Sequence, residues 1–310
     1  MENKRPVLVT GSIRSGTTWV GRMLALAPGT SYYEEPFNLL NGSLYGLSLP
    51  QDFIHVHPGN EERFISPIKS AIGLSFSRSD LSRRLQLSKT IRHKAVTLKE
   101  FLNWHLRFGA AKRPIVKDPI ALASAEWLNT RFHALPVIMI RHPAAYISSL
   151  NRLGWGLDFN WFLQQPKLME NRLEPFRQQM LDIQKPGNDR IDHGILSWNL
   201  VHYLIADYRE KHPDWLFVRH EDLSREPLSG FRDMFKHLGL EFTTAVQREI
   251  ENHTAAENPT DAPEGVIHSL RRDSAGNIFS WKKKLTVAEI SRIRKGTRAV
   301  ASRFYSDTDW

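Results

Sequence analysis

Short apolar runs alternate with segments of helical periodicity along most of this chain. Buried strands are predicted from the apolar runs at residues 7–10, 114–117, 137–140 and 214–219. Helices are predicted from Thr17 until Pro28 stops the first one, and over about residues 121–130, 144–153, 195–211 and 228–238. Because helices separate the strands, the strands must run parallel, with helices on both faces of the sheet. The pattern therefore predicts an α/β fold with a central parallel sheet flanked by helices, in a single domain over residues 1–310.

Two segments interrupt this alternation. Residues 38–69 are rich in Gly, Pro, Asn and His, and residues 155–194 are rich in Gln, Trp and Pro. Insertions over a rigid sheet are where specificity pockets are usually built. We expect both to form the walls of an acceptor pocket. A long polar segment at 251–277 precedes an amphipathic helix predicted over about 287–304.

The composition narrows the classes of function. The chain has no cysteine, which excludes disulfide scaffolds, thiolate metal sites and cysteine nucleophiles. The first residues lack the apolar core of a signal peptide, and later apolar stretches are too short to span a membrane. A soluble, cytoplasmic protein is the prediction. The net charge of +9 permits a nucleic acid, an anionic membrane surface or a small phosphorylated ligand as partner.

Residues 11–18, Gly-Ser-Ile-Arg-Ser-Gly-Thr-Thr, lie between the first strand and the first helix. Backbone N–H groups and the helix dipole at such a loop bind anions. The nucleotide P-loop places a lysine where this chain has Thr17, and the basic residue here is Arg14. A magnesium-dependent kinase or NTPase is therefore the weaker alternative, and a phosphate-like ligand held without a metal fits better. A simple connecting turn is the structural alternative for this loop.

The run from Arg14 to Trp19 resembles the 5′-phosphosulfate loop of the sulfotransferases that use 3′-phosphoadenosine 5′-phosphosulfate (PAPS). Arg141 at a strand end, with Ser149 in the following helix, resembles the 3′-phosphate motif of the same family. A guanidinium suits phosphate recognition on chemical grounds as well. The resemblance implies the P-loop NTPase-like sulfotransferase fold, with PAPS as donor, 3′,5′-adenosine bisphosphate (PAP) as product and no metal. The donor-binding residues that it implies are Arg14, Ser15, Gly16, Thr17, Thr18, Trp19, Arg141 and Ser149.

Two further segments extend the resemblance, and Trp19 has two interpretations. Residues 116–119, Val-Lys-Asp-Pro, resemble the strand end of the carbohydrate and protein-tyrosine branches, where Lys117 would reach the phosphosulfate. Residues 280–285 loosely resemble a segment that closes over the nucleotide in the carbohydrate branch, although a solvated charge cluster is an equal alternative. In the family Trp19 would stack on adenine, whereas a tryptophan in an amphipathic helix is more often a core residue.

Sulfuryl transfer to a hydroxyl needs a general base. The small-molecule branch of the family has a histidine just after the lysine-bearing strand, and this chain has none there. Glu35 lies where the carbohydrate and tyrosine branches carry a catalytic carboxylate, with Glu34 as its rival and a solvated acidic turn as the structural alternative. His55 and His57 lack an acidic third ligand at suitable spacing, so we expect no metal site there. The catalytic residues that the resemblance implies are Glu35, Lys117 and Arg14.

The sequence thus predicts a sulfotransferase that moves a sulfuryl group from PAPS to a hydroxyl of a carbohydrate, glycolipid or related metabolite. Besides the kinase or NTPase, one alternative is a basic nucleic-acid-binding protein that uses residues 83–94 and 292–298, but these stretches lack interleaved aromatic residues. Another alternative is a nucleotide binder without catalysis. Peripheral contact with an anionic membrane remains open as an explanation for the remaining positive charge.

Overall fold

The computed structural model describes residues 5–88, 90–106, 112–260 and 271–310. Five strands form one parallel sheet in the order β2-β3-β1-β4-β5. The strands are β1 Val7–Gly11, β2 Thr30–Glu34, β3 Arg113–Lys117, β4 Leu135–Ile140 and β5 Leu216–Arg219. The predicted α/β fold with a central parallel sheet is confirmed, and the four predicted strands are β1, β3, β4 and β5.

Helices connect the strands and cover the sheet. Those up to β4 are α1 Thr17–Leu24, α2 Glu62–Ala71, α3 Arg78–Leu87, α4 Ile91–Leu106 and α5 Ala125–Phe132. Between β4 and β5 lie α6 Pro143–Leu153, α7 Asn160–Leu163, α8 Pro166–Leu168, α9 Arg177–Asp182 and α10 Arg190–Lys211. After β5 come α11 His220–Arg225, α12 Pro227–Leu238, α13 Thr244–Thr254 and α14 Val287–Ala301.

The two faces of the sheet pack against different helices because side chains alternate along each strand. Val7 and Val9 of β1 point to the face covered by α1, α12 and α13. Leu8, between them, points to the opposite face, where α5, α6, α10 and α14 supply the larger core. Both faces are therefore buried, as expected for a parallel sheet.

Several elements differ from the sequence prediction, and three of the differences have a local physical reason. The edge strand β2 was not predicted, because its residues Thr-Ser-Tyr-Tyr-Glu are half-buried and lack an apolar run. The helix predicted at 121–130 is instead a 3₁₀ turn, Pro119–Ser124, followed by α5, because the Asp118 carboxylate caps the turn at its start. α10 begins at Arg190, earlier than predicted, because Asp189 forms a capping box there.

The remaining segments have the following places. The polar segment 251–277 begins inside α13, and its residues 261–270 lie outside the described part of the chain. The basic stretch 83–94 is divided between α3 and α4, with residue 89 outside the described part. Within the described ranges, no helix combines the length and the apolar character needed to cross a bilayer.

Candidate active site

Residues after the carboxyl ends of all five strands line a single cavity of about 210 Å³. They are Arg14 after β1, Glu35 after β2, Ile120 after β3, Arg141 after β4 and His220 after β5. In open parallel sheets, ligands bind at this edge because the loops that leave the strands converge there. β1 lies at the centre of the sheet, so its loop lies at the centre of the cavity.

The loop after β1 requires glycine at two positions. Gly11 and Gly16 have φ angles of 135° and 92°, a region that favours glycine. A Cβ on Gly11 would collide with the Met139 carbonyl oxygen, and one on Gly16 would lie 2.7 Å from Nδ1 of His220. Arg14 has a φ of 63° and is one of the non-glycine residues in the left-handed region. The tight turn brings the start of α1 against the cavity.

The start of α1 offers unpaired backbone donors. Gly16 is the N-cap and has no side chain that could accept from the first N–H groups, and the first turn carries no acidic residue. Thr17 and Thr18 are buried and line the cavity. Ser15 does not line it, since its hydroxyl donates to the Ser12 carbonyl at 2.6 Å. This helix end is therefore suited to an anion.

Arg14, Arg141 and Ser149 meet in one cluster beside the loop. The Arg14 Nε donates to Oγ of Ser149 at 3.2 Å, and the Arg141 guanidinium donates to the Arg14 carbonyl. Burial, and then the neighbouring Arg141, lower the pKa of Arg14 to about 10. Burial also lowers the pKa of Arg141, and Glu221 opposes this effect. Both arginines line the cavity, whereas Ser149 contacts it through Arg14. An anionic ligand would relieve the repulsion between the two cations.

Residues near the end of the sequence pack behind Arg141. The His142 N–H donates to the Glu221 carboxylate at 3.0 Å, and the Tyr305 hydroxyl donates to the same carboxylate at 3.0 Å. The His142 ring stacks on Trp281, with ring centroids 5.0 Å apart, and meets Trp310 at 4.4 Å. Residues 280–285 therefore support the strand end that carries Arg141, and none of them lines the cavity within the described structure.

The turn after β2 presents the Glu35 carboxylate. Glu35 has a φ of 51°, an uncommon conformation for glutamate that is typical of functional turns. Its N–H donates to the Lys117 carbonyl at 2.8 Å. One carboxylate oxygen lies 2.5 Å from Nζ of Lys117, and the other accepts from the Asn38 side-chain amide at 2.9 Å. Lys117 at the end of β3 and Asn38 at the start of the insertion 38–69 thus fix the orientation of the Glu35 carboxylate from both sides.

Lys117 does not reach the cavity in this structure. Its side chain is fully buried, and its ammonium contacts Glu35 and, at 3.2 Å, Glu34. Glu34 in turn pairs with Arg22 at 3.2 Å. Unlike Glu35, Glu34 is absent from the described residues that line the cavity. The two adjacent glutamates therefore differ: one faces the cavity, and the other joins two cations behind it.

Asp118 ties the Glu35 turn to the end of β3. One oxygen of its carboxylate accepts from the N–H groups of Ile120 and Ala121, and the other accepts from the Phe37 N–H at 2.6 Å. Asp118 is fully buried, and this burial raises its pKa to about 7 against the opposing effect of the N–H donors. The bond to Phe37 holds the chain two residues beyond Glu35, so Asp118 helps to position the catalytic candidate.

Trp19 packs in the core and also lines the cavity. Its ring packs edge-to-face on Phe231, with centroids 5.2 Å apart, and on His220 at 6.0 Å. It also lines the cavity. One part of the ring is therefore anchored in the core beneath α12, and another part is available to a ligand.

Several lining residues were not singled out from the sequence: Asn38, Trp155, His220, His253, Arg272, Ser274 and Asn277. His220 directly follows β5, so the rule that ligands bind at strand ends could have found it. Its pKa lies well below the usual value because of burial and the nearby Arg141 and Arg272. Arg272 belongs to the polar segment 251–277, whose sequence carries no periodic signal. Each of the two insertions contributes a lining residue, Asn38 and Trp155.

The titratable groups of the site do not resemble a metal centre. Among the residues that the structure describes, no group of three His, Cys, Asp or Glu side chains is arranged to hold a metal ion. His55 lies outside the cavity and contacts the Ala123 carbonyl through its ring Nδ1 at 2.7 Å. The charged groups that face the cavity are therefore two arginines after β1 and β4, Arg272, and one carboxylate.

Comparison with known proteins places these features in a family. Carbohydrate sulfotransferase 1 of Danio rerio is 37% identical over 79 residues, which are 24% of this chain and 18% of that protein. Carbohydrate sulfotransferase 5 of Mus musculus is 32% identical over 78 residues, which are 25% of this chain and 20% of that protein. The chain thus aligns with about a fifth of the length of these curated relatives.

The structural and family comparisons cover far more of the chain. The sulfotransferase domain of the Synechococcus PCC 7002 olefin synthase superposes with a TM-score of 0.51 and 19% identity, covering 98% of this chain and 96% of that domain. At this identity the likeness concerns the fold. The model of the Sulfotransferase family matches residues 6–244, which include the loop after β1, the Glu35 turn, Lys117 and Arg141. The chain therefore belongs to the Sulfotransferase family.

Proposed function

We propose that this protein transfers a sulfuryl group from PAPS to a hydroxyl of a carbohydrate, glycolipid or related metabolite. The observation that carries the proposal is the meeting of a cationic, anion-binding loop and an oriented carboxylate in one cavity. Transfer to a hydroxyl needs both: cations for the departing phosphate and a base for the acceptor proton.

The donor would lie along the loop after β1. The 5′-phosphosulfate is placed at the start of α1, where the backbone N–H groups of residues 16–18, the Thr17 and Thr18 hydroxyls and Arg14 would surround an anion. The 3′-phosphate is assigned to Arg141, with Ser149 holding Arg14 in place. Trp19 offers its exposed ring surface to the adenine. This arrangement uses every cation that β1 and β4 bring to the cavity.

In the proposed reaction, the acceptor oxygen attacks sulfur, and the bond from sulfur to the bridging phosphate oxygen breaks. Glu35 takes the acceptor proton as the new sulfur–oxygen bond forms. The leaving PAP carries the electron pair of the broken bond, and Arg14 and the α1 N–H groups stabilise the charge that grows on its phosphate. The products are the sulfated acceptor and PAP, and no metal takes part in the scheme.

Glu35 is preferred to Glu34 as the base because their surroundings differ. Both glutamates contact Lys117, but Glu35 lines the cavity, whereas Glu34 is absent from the described lining residues and also pairs with Arg22. A general base must lie within hydrogen-bond reach of the proton that it removes. Because Glu35 lines the cavity, an acceptor hydroxyl bound there could come within this reach.

We assign Lys117 a role in charge stabilisation that depends on its ion pair with Glu35. Before transfer, the two carboxylates neutralise the buried ammonium. When Glu35 takes the proton, its charge disappears, and the positive charge of Lys117 is left partly uncompensated. It then stabilises the negative charge that develops on the leaving group. The family resemblance of Val116 to Pro119 supports a place for this lysine near the phosphosulfate.

The acceptor class rests on the Glu base, the Lys-Asp-Pro strand end and the names of the two relatives. We also propose that residues 1–310 act as one sulfotransferase domain in the cytoplasm. Among the alternatives, Mg²⁺-dependent ATP turnover would point to a kinase or NTPase. Salt-sensitive binding of random DNA at micromolar concentration would point to a nucleic-acid-binding protein.

Thermal denaturation with and without PAP tests the donor assignment, and transfer of labelled sulfate from PAPS to saccharides, lipids and phenols tests the activity. We expect PAP to raise the Tm and at least one saccharide or lipid to be labelled. No shift at millimolar PAP would contradict the donor assignment. A shift without transfer to any acceptor would instead indicate a nucleotide binder.

A further inference from the structure

Helix α4 exposes an apolar stripe along its outer face. Ile91, Leu98, Leu102 and Leu106 are 87%, 45%, 54% and 74% exposed. A step of seven residues from Ile91 to Leu98, followed by two steps of four, places them on one side of the helix. Among residues 91–106, all of which the structure describes, Thr97 alone is buried, and it lies on the opposite side. No described residue covers the stripe.

Positive charges flank this stripe. Arg92, Lys94 and Lys99 on α4 are exposed at helical positions beside the stripe, and none of them forms an ion pair with a described residue. The acidic residues of the two helices are already paired: Asp80 with Arg83 at 2.5 Å and Glu100 with Arg84 at 3.4 Å. The outer face of the α3–α4 pair therefore combines an apolar stripe with uncompensated positive charge.

This combination distinguishes between possible partners. A second copy of the chain would bring the same cations of two molecules together, so like-charge repulsion opposes a dimer through this face. A nucleic acid would satisfy the cations but would leave the leucine side chains in water. An anionic bilayer satisfies both, because apolar side chains enter between the headgroups while lysine and arginine meet their phosphates.

We propose that α4 docks in the plane of an anionic membrane surface and holds the protein there reversibly. The inference is independent of the sulfuryl-transfer chemistry, since no residue of the stripe lines the cavity after the strand ends. It accounts for the part of the net positive charge that the donor site does not use. A single amphipathic helix of this kind binds a membrane without crossing it.

The test is co-sedimentation of the full chain with vesicles of phosphatidylcholine alone or of phosphatidylcholine mixed with phosphatidylglycerol. We expect binding to the mixed vesicles only, and its loss at high salt. Leu98→Ser with Leu102→Ser should weaken the partition at least about tenfold. Lys94→Ser with Lys99→Ser should weaken it roughly thirtyfold, from about 1 kcal/mol for each lysine at the surface.

Matched controls change exposed residues elsewhere. Val287→Ser removes an apolar side chain that is 85% exposed, and Lys236→Ser with Lys295→Ser removes two exposed lysines; all should bind as the parent does. An unchanged Tm verifies that each variant is folded. The proposal is overturned if the parent ignores anionic vesicles, or if the controls lose as much binding as the α4 variants. It is also overturned if the leucine variant turns a dimer into a monomer, since the stripe would then be an interface between copies.

Discussion

The two halves of the candidate site treat charge in opposite ways. At the ends of β1 and β4, Arg14 and Arg141 lie side by side, and burial lowers the pKa of both; the neighbouring Arg141 adds to this effect at Arg14, whereas Glu221 opposes it at Arg141. At the ends of β2 and β3, the Lys117 ammonium lies between the carboxylates of Glu34 and Glu35. The first half, the arginine side, places two cations against the cavity, and burial disfavours the charge of both. The second half, the carboxylate side, is already neutralised internally.

This difference suggests that the arginine side binds the anionic ligand and that the carboxylate side carries out the proton transfer. A ligand that brings negative charge should gain most of its binding energy on the arginine side, since that side gains compensation from it. On the carboxylate side, the balance changes only when a proton moves. Binding and chemistry should therefore respond separately to substitutions in the two halves.

The largest effect is expected from Glu35→Gln. Loss of the base should lower kcat by about 10²–10⁴-fold while PAP affinity changes little, because the substituted group lies on the carboxylate side. Glu34→Gln is the matched control, since it removes the neighbouring carboxylate that does not line the cavity. Steady-state transfer rates and PAP titrations of both variants provide the measurement. Equal losses of kcat in the two variants would remove the distinction between the glutamates.

The next effect contrasts Arg141→Ala with Lys117→Ala. Arg141→Ala removes a charged donor to the proposed 3′-phosphate. It should therefore weaken PAP binding by roughly ten- to hundredfold, with a smaller effect on kcat. Lys117→Ala should do the reverse, because its ammonium acts through Glu35. PAP affinity and kcat are measured separately for each variant to show which of the two quantities it changes more. If each variant lowered both quantities equally and slightly, the division between the two halves would fail.

A smaller effect probes the packing of the arginine side. Gly16→Ala should lower the free energy of unfolding by more than Gly29→Ala does, although both residues have positive φ angles, 92° and 73°. Each substitution adds strain of about 1–2 kcal/mol. Only the Cβ at position 16 also meets His220, since nothing lies within 4 Å of a Cβ on Gly29. Urea unfolding measures both, and His220→Ala in the Gly16→Ala background should recover the excess. If Gly16→Ala and Gly29→Ala lowered the free energy of unfolding equally, the loop after β1 would have moved to accommodate the added Cβ.

The last effect is a pH dependence of stability on the carboxylate side. Burial raises the pKa of Asp118 to about 7, above its ordinary value of 3.8, so the folded protein binds this proton more tightly than the unfolded chain does. The parent should therefore lose stability relative to Asp118→Asn as pH rises from about 4 to about 7, by at most about 1.4 kcal/mol per unit, and then level off. Urea unfolding of both proteins across this range measures the difference. A difference that does not vary with pH would mean that Asp118 keeps its charge throughout.

The sequence predicted the arginine side better than the carboxylate side, for a physical reason. The loop after β1 depends on glycines at fixed positions and lies between an apolar strand and a helix. Its conformation is therefore determined by residues that are neighbours in the sequence. The carboxylate side depends on β2, an edge strand whose half-buried polar residues give no apolar signal. Sequence alone placed Glu35 and Lys117 only through family resemblance. The salt bridge between them joins residues far apart in the chain.

The other unpredicted features also depend on long-range contacts. The bond from Arg14 to Ser149 required the loop after β1 and helix α6 to be adjacent. The position of Arg272 in the cavity follows from backbone and side-chain contacts of its segment, such as the hydrogen bond from its N–H to the His253 carbonyl. Neither relation has a local pattern. In contrast, the order of the predicted strands and helices could be derived from the sequence, because the periodicity of apolar residues reflects which side of an element is buried.

The contacts of His142 have a consequence for the order in which the protein acquires its structure. The ring beside Arg141 packs on Trp281 and Trp310, which the ribosome adds long after it has completed β1 and the loop that follows. During synthesis, the amino-terminal half can form its strands and the first loop, but the support for Arg141 arrives last. If the proposed donor sites are correct, a nascent chain should acquire the loop assigned to the 5′-phosphosulfate before the support of Arg141, which is assigned to the 3′-phosphate.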